Sequence, residues 1–257
     1  MDDKNKFMNH VFLLGGHDLE MMEIMKILSL KGIYYYDKNL KWNNAFLSQY
    51  KEVFNKHYSF VGIELVSDIP APQHYILFDH HNQNAEKPSA IEQVAELLGV
   101  TLNRHQQLVA ANDKGYISAM EKMEATKQEI EEIRRQDRKA QGVTDEHEKL
   151  AEMSIQKNLT SKNRITIVKS LTSSFSAITD RLFPTERLLI YSDDALTYYG
   201  QHAREIAQSF TLLIEEHKAY YGGGDNGYFG IANESLSHEE LQQTKDKLIQ
   251  KLTDLIA

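Results

Sequence analysis

The sequence predicts an α/β protein, with a parallel, Rossmann-like N-terminal sheet carrying helices on both faces, a helical connector, and a smaller mixed α/β C-terminal lobe. Three observations predict it. Short apolar runs alternate with helical patterns through the first part of the chain, the rhythm of strand–helix–strand units on a parallel sheet. A charged stretch with apolar residues at helical spacing follows, from about Ile117 to Ile155. The remainder returns to short apolar runs and closes on a helix.

In the first lobe, Val11 to Leu14 reads as a strand, followed by a helix from about Glu20 to Lys31 and a strand at Ile33 to Tyr36. A helix from about Trp42 to His57 and strands at Phe60 to Val66 and Tyr75 to Phe78 come next. The run Tyr75 to Phe78 is apolar throughout, as expected of a parallel strand covered on both faces. Pro88 precedes Ser89, and Ser89 with Glu92 forms a capping box ahead of Ile91, Val94, Ala95 and Leu98, after which Gly99 closes the helix. Met120, Met123, Ile130 and Ile133 give the connector its apolar stripe. In the second lobe the candidate strands are Ile165 to Val168, Leu188 to Tyr191, Leu212 to Ile214, Ala219 to Tyr221 and Tyr228 to Ala232. Ser237 with Glu240 caps a last helix. The expected division is residues 1–117, a connector at 118–160, and 161–257.

The chain of 257 residues, 41% apolar, is long enough to bury a core, and it contains no run long and apolar enough to cross a membrane. A soluble, cytoplasmic protein is the expectation. With no cysteine, thiolate metal sites and cysteine nucleophiles are excluded, so a metal must be held by oxygen and imidazole. A net charge of −8, from 37 acidic against 29 basic residues, disfavours coating long nucleic acid and favours a small or short substrate.

Asp79-His80-His81-Asn82 follows directly on the strand Tyr75 to Phe78. Polar groups just past a parallel strand project into the crevice where open α/β sheets bind ligands. A carboxylate beside two imidazoles there suits manganese or magnesium; the plain alternative is a loop whose histidines bond backbone. Arg134, Arg135 and Arg138 form a charge run that reads as a solvated helix face, with phosphate contact as the alternative. Tyr34 to Tyr36 and Tyr198 with Tyr199 read as core and rim rather than as a platform for a base.

The segment Ile76 to His81, with Asn82 and the helix from Ser89, resembles the third motif of the DHH phosphoesterase superfamily, whose members include exonucleases, oligoribonucleases, cyclic-dinucleotide phosphodiesterases and pyrophosphatases. The strand Val11 to Leu14 leads through Gly15 and Gly16 into Asp18-Leu19-Glu20, which resembles the first motif, with Glu20 where the family has aspartate and Leu14 where it has histidine. His17 stands nearby. For the carboxylate after the preceding strand the chain offers Asp68, ranked ahead of Glu64. Asn112-Asp113-Lys114-Gly115-Tyr116 resembles the fourth motif. Gly222-Gly223-Gly224-Asp225 resembles the glycine-rich substrate motif of the associated C-terminal domain, with Asp225 in place of histidine. Without the resemblance, Asp18 and Glu20 serve equally as helix-start acids, Asp68 as a turn residue, and the glycines as a hairpin turn.

The resemblance implies metal ligation by Asp18, Glu20, Asp68, Asp79, His80 and Asp113, with His17 able to join, and catalytic roles for His80 and His81. It implies substrate binding by Gly222, Gly223, Gly224 and Asp225. The expected cofactor is manganese or magnesium, as two ions about 3.5–4 Å apart. The activity implied is hydrolysis of a phosphodiester or phosphoanhydride in a small nucleotide or short single-stranded oligonucleotide. The alternative is a catalytically degenerate nucleotide-binding or regulatory protein of the same fold. A homodimer is compatible with either.

Overall fold

The computed structural model describes residues 10–41, 44–54, 58–81, 84–223, 226–231 and 235–256. The chain forms two compact units, Met1–Gly142 and Val143–Ala257. The division falls inside the stretch 118–160 read as a connector.

In the first unit, β1 (His10–Leu14) leads to α1 (Leu19–Lys31), β2 (Tyr35–Tyr36), a 3-10 segment at Leu47–Val53, β3 (Ser59–Ile63) and β4 (Tyr75–Phe78). Helices α2 (Ala90–Leu98), α3 (Arg104–Lys122) and α4 (Lys127–Ala140) complete it. The strands form one parallel sheet in the order β2-β1-β3-β4. Alternation along β1 divides its side chains. Phe12 and Leu14 pack with α1 and α2 residues such as Ile24, Leu28, Ile91 and Val94, whereas Val11 and Leu13 pack with Leu47, Tyr50 and Phe60. Helix α1 starts because the Asp18 side chain accepts from the Met21 N–H, and stops at Gly32 in the left-handed conformation. The Ser89–Glu92 capping box is present at α2.

Two expectations change here. The strand Tyr75 to Phe78, expected to be covered on both faces, is not buried throughout: Ile76 is 42% exposed, on the edge strand β4; a run of four apolar residues does not distinguish a covered strand from a partly open one. The helix expected over 42–57 is, where described, a 3-10 segment. Phe46 offers no capping side chain, Leu47 N–H donates to the Val66 carbonyl and Ser48 N–H to Asp68 Oδ1. The buried pair Leu47 and Tyr50, three residues apart, matches the 3-10 period.

The second unit runs α5 (Asp145–Asn158), β5 (Leu159–Lys162), β6 (Ile165–Lys169), α6 (Ser176–Leu182), β7 (Arg187–Tyr191), β8 (Leu196–Gly200), α7 (Ala203–Ser209), α8 (Thr211–Glu215), β9 (Ala219–Gly222), β10 (Tyr228–Ile231) and α9 (His238–Ile256). Its mixed sheet has the order β5-β6-β7-β8-β10-β9, with β6 and β7 parallel and the other neighbours antiparallel. Leu212 to Ile214, expected as a strand, is helical: Phe210, Leu213 and Ile214 follow a helical spacing and pack on the core, while Leu212 is 73% exposed. Strands β5 and β8 escaped the sequence reading. Every residue of β5 is exposed, and β8 carries threonine and tyrosine where an aliphatic run would have marked it. The Ser237–Glu240 capping box is formed at α9. Among the described residues, no helix is long and apolar enough to cross a membrane.

Candidate metal centre

Three neighbouring parallel strands deliver their following residues to one place. After β1, Gly15 passes so close to the next strand's end that a Cβ there would lie 2.4 Å from the Ile63 carbonyl oxygen and 2.7 Å from that of Glu64. Glycine is therefore required at Gly15 for the loop carrying Asp18 and Glu20 to run beside Glu64. Glu64 follows β3 in a left-handed backbone conformation, φ 52°, and its N–H donates to the Phe78 carbonyl at 2.8 Å. For a glutamate that conformation costs on the order of 1 kcal/mol or more, a local strain of the kind concentrated at functional sites. His80 stands two residues past β4.

Glu20, Glu64, His80 and Asp113 each bring one ligand atom within 4.8 Å of the others, and Glu64, His80 and His81 form a second, overlapping group. His80 Nε2 lies 2.5 Å from Asp113 Oδ2 and 3.3 Å from Glu64 Oε1. His81 Nδ1 lies 3.8 Å from Glu64 Oε1. Glu20 accepts through Oε1 from the Ile91 N–H at the start of α2. Its Oε2 and Glu64 Oε2 are buried with no hydrogen-bond partner among the described residues, and Glu64 Oε1 meets the ring nitrogens of His80 and His81. Buried carboxylate oxygens without a donor are costly, and the residues that carry them belong to this cluster.

The electrostatics agree. Burial first, then the charges of Asp113 and Glu64, push Asp18 and Glu20 well above the ordinary carboxylate range. Burial also raises Glu64, with Asp113 adding to it and the His80 contact opposing it. Burial alone would lower the His80 imidazole, but its contacts with Asp113 and Glu64 outweigh that and raise it to about 10. Three carboxyl groups, those of Glu20, Glu64 and Asp113, thus gather about one buried imidazole, and the Asp18 carboxyl is near enough to feel the Asp113 and Glu64 charges. Such an excess of negative oxygen donors, plus one imidazole nitrogen, fits a divalent cation of the manganese or magnesium kind.

The remaining residues expected at the site are placed as follows. Asp18 caps α1 through the Met21 N–H at 2.9 Å and feels the Asp113 and Glu64 charges, but lies in neither ligand group. Asp79 is committed to its own loop: Oδ1 accepts from the His81 N–H at 3.0 Å and stands 3.1 Å from His81 Nδ1, while Oδ2 accepts from Asn84. It orients His81 and belongs to neither group. Asp68 is exposed and accepts from the Ser48 N–H, so the carboxylate after β3 that joins the cluster is Glu64. His17 is half-buried in the loop before Asp18, also outside both groups. Gly222 ends β9 and Gly223 takes a positive φ of 76°, where a Cβ would lie 2.8 Å from Gly227 Cα. Gly224, Asp225 and Asn82 lie outside the described residues.

A supporting layer was not legible in the sequence. Arg134 and Arg138, read as part of a solvated face, are only 8% and 5% exposed. Arg134 Nη1 donates to Asn112 Oδ1 at 2.9 Å and to Asp137 Oδ2 at 2.7 Å, and its guanidinium lies 4.4 Å from the Tyr116 ring centroid. Asp137 Oδ1 in turn accepts from the Leu19 N–H. This relay ties the residue before Asp113 to the residue between Asp18 and Glu20. The kink of α3 at Gly115 and Tyr116, the latter at φ 59°, sets Tyr116 under Arg134. The available signal was the four-residue spacing of Arg134 and Arg138 beside Ile133, Asp137 and Gln141. Arg134→Ala should destabilise the protein by about 3–5 kcal/mol in denaturant unfolding, because it leaves Asp137 buried without its cation. Manganese affinity, read by calorimetry, should fall about 10–100-fold, as for other groups that orient ligands.

No family model matches this chain, and no curated protein does. Solved structures do. A pGpG-specific phosphodiesterase from Vibrio cholerae is 14% identical with a TM-score of 0.52, over 96% of this chain and 99% of that one. The DHH domain of a protein assigned to a family of ribosomal proteins is 10% identical with a TM-score of 0.55, over 95% of this chain and 87% of the other. An exopolyphosphatase-related protein from Bacteroides fragilis is 9% identical with a TM-score of 0.50, over 98% and 95%. The fold of this chain is that of the DHH proteins.

Proposed function

We propose that this chain of DHH fold is a metal-dependent phosphoesterase that hydrolyses a phosphodiester or phosphoanhydride in a small nucleotide or short oligonucleotide. The observation that carries the proposal is the buried cluster of Glu20, Glu64, His80 and Asp113, with orphaned oxygens, at the carboxyl ends of parallel strands. The names of the similar structures, a pGpG phosphodiesterase and an exopolyphosphatase-related protein, support the reaction class.

Glu20, Glu64, His80 and Asp113 would hold the first ion. A second would rely on Glu64 and His81, because the single Nε2 lone pair of His80 serves one ion only. Its affinity should be the lower of the two. A divalent cation, when bound, supplies Lewis acidity toward the phosphoryl group and makes water a nucleophile at neutral pH. His81, 44% exposed and held through Nδ1 by Asp79, is proposed to contact the scissile phosphate or pass a proton. Gly222 and Gly223 are proposed to offer backbone to an anionic group of a ligand.

The test is product release from a panel of short oligonucleotides, cyclic dinucleotides and pyrophosphate with manganese, for the wild type and for His80→Ala. Turnover lost in the variant would support the proposal and name the substrate. Stoichiometric manganese binding without turnover of any of these would instead favour a binding or regulatory protein.

A further inference from the structure

The mixed sheet of the second unit contains one parallel pair, and its two strands end side by side, β6 at Lys169 and β7 at Tyr191. The space past the carboxyl ends of parallel strands is a common ligand position. Here it holds a cavity of about 130 Å³ lined by Lys169, Tyr191, Leu196 at the start of β8, and His238, Leu241 and Lys245 of α9. The glycine turn lies elsewhere. Arg187, at the other end of β7, pairs with Gly200, whose N–H donates to the Gly227 carbonyl. Leu196 and Leu241 are buried and give the cavity an apolar base, whereas two ammonium groups and an imidazole line its rim. Lys245 Nζ rests 4.2 Å from the Tyr191 ring centroid and donates to Gln242 Oε1 at 2.8 Å, so its near contacts are an aromatic face and a neutral amide. Gln242 takes one of three N–H donors. Burial depresses the Lys245 ammonium, with the Asp246 charge opposing this and the Lys169 charge adding to it. Lys169 Nζ stands 3.1 Å from Asp193 Oδ1, but both side chains are largely exposed, and such a pair holds weakly enough for a more highly charged anion to displace it. The neighbouring Asp194 is turned back onto Ser192 Oγ, and Glu240 onto Ser237. His238 Nδ1 donates to the Asp193 carbonyl at 3.2 Å, which leaves Nε2 as the ring's second polar atom.

We propose that this cavity in the second unit is a phosphate-binding site, with Lys169 and Lys245 as its cations, separate from the metal centre of the first unit. A cavity of this size admits a group as large as benzene, and so one phosphate group. Lysine ammoniums act as compact point charges that suit a tetrahedral dianion, whereas a planar carboxylate is matched better by the fork of an arginine. The site stands whether or not the first unit is a phosphoesterase, since all of its residues belong to the second.

The test is calorimetric titration of the full chain with inorganic phosphate, with EDTA present so that the metal centre holds no cation and its carboxyl groups repel the anion. Wild type should bind a single phosphate. Lys245→Gln and Lys169→Gln should each weaken it about tenfold, the loss of one charge-assisted contact. Asp193→Asn should tighten it about threefold by releasing Lys169, a gain that a misfolded variant cannot produce. Lys247→Gln makes the same change in net charge on the same helix, but Lys247 lies over the Phe210 ring and outside the cavity, so affinity should stay within about twofold of wild type. A wild type that takes up no phosphate at millimolar concentration would overturn the site. So would a loss in Lys247→Gln equal to that in Lys245→Gln, which would make the effect one of overall charge, or an Asp193→Asn variant that binds no more tightly than wild type.

Discussion

Glu64→Gln should abolish tight manganese binding, lowering affinity by more than about 100-fold in calorimetry, with loss of whatever turnover the wild type shows. Both ligand groups contain Glu64, whose Oε2 is buried without a hydrogen-bond partner among the described residues and whose Oε1 faces the His80 ring nitrogen at 3.3 Å. Glutamine keeps the shape and removes the charge. Losing a group that merely orients a ligand costs about 10–100-fold in other metal sites, so losing the shared ligand should cost more. The same substitution should raise the melting temperature of the metal-free protein, because it removes one of four crowded carboxyl groups. Stabilised without metal and unresponsive to it is a signature that simple misfolding does not produce. Asp68→Asn, at the exposed turn beside Ser48, should leave manganese affinity within about twofold of wild type. Equal losses in the two variants would sink the assignment of Glu64.

The second large effect is a pH-dependent stability that manganese reverses. Asp18, Glu20 and Glu64 are all raised in the folded protein, first by burial. Above about pH 4 the unfolded chain has released protons that these groups still hold, so the metal-free protein loses stability as pH rises through their folded values. His80 acts in the same direction. Its folded value of about 10 lies above its ordinary 6.5, so its contribution is complete below that ordinary value and is lost as pH rises through about 10. The metal-free melting temperature should therefore decline steadily from about pH 5 to pH 9. Manganese requires the carboxylates charged and His80 neutral, so its affinity rises with pH. At a free concentration a thousandfold above its dissociation constant it stabilises by about 4 kcal/mol, or roughly 10 °C for a unit of this size. The increment should be larger at pH 8 than at pH 5.5 in a melting series with and without the metal. A metal-free protein that becomes more stable on going from pH 5 to pH 8 would contradict the charged-cluster account.

Much of this was legible in the chain itself. The alternation of apolar runs with capped helices marks a parallel α/β unit, because each strand of such a sheet is a short local signal and each helix start needs a particular side chain at a particular offset, as at Ser89 and Glu92 or Ser237 and Glu240. His80 stands just past the recognisable strand Tyr75 to Phe78, whereas Glu20 and Asp113 were named through the resemblance of their motifs to those of the DHH superfamily. What tertiary structure alone decided was which neighbours those ends meet. Glu64, and not Asp68, lies in the buried cluster because Gly15 brings the loop after β1 against the end of β3, a contact between segments far apart in sequence. Asp79 turns to its own loop for a reason set by Asn84 and the His81 backbone. The run at Leu212 is helical because Phe210, Leu213 and Ile214 find the core at helical spacing, a choice three apolar residues cannot make alone. Arg134 is buried because α4 packs on α1 and α3, which turns a charged stripe into a relay. The periodicities that choose strands and helices are local, whereas burial, coordination and charge balance depend on partners that only the packed fold brings together.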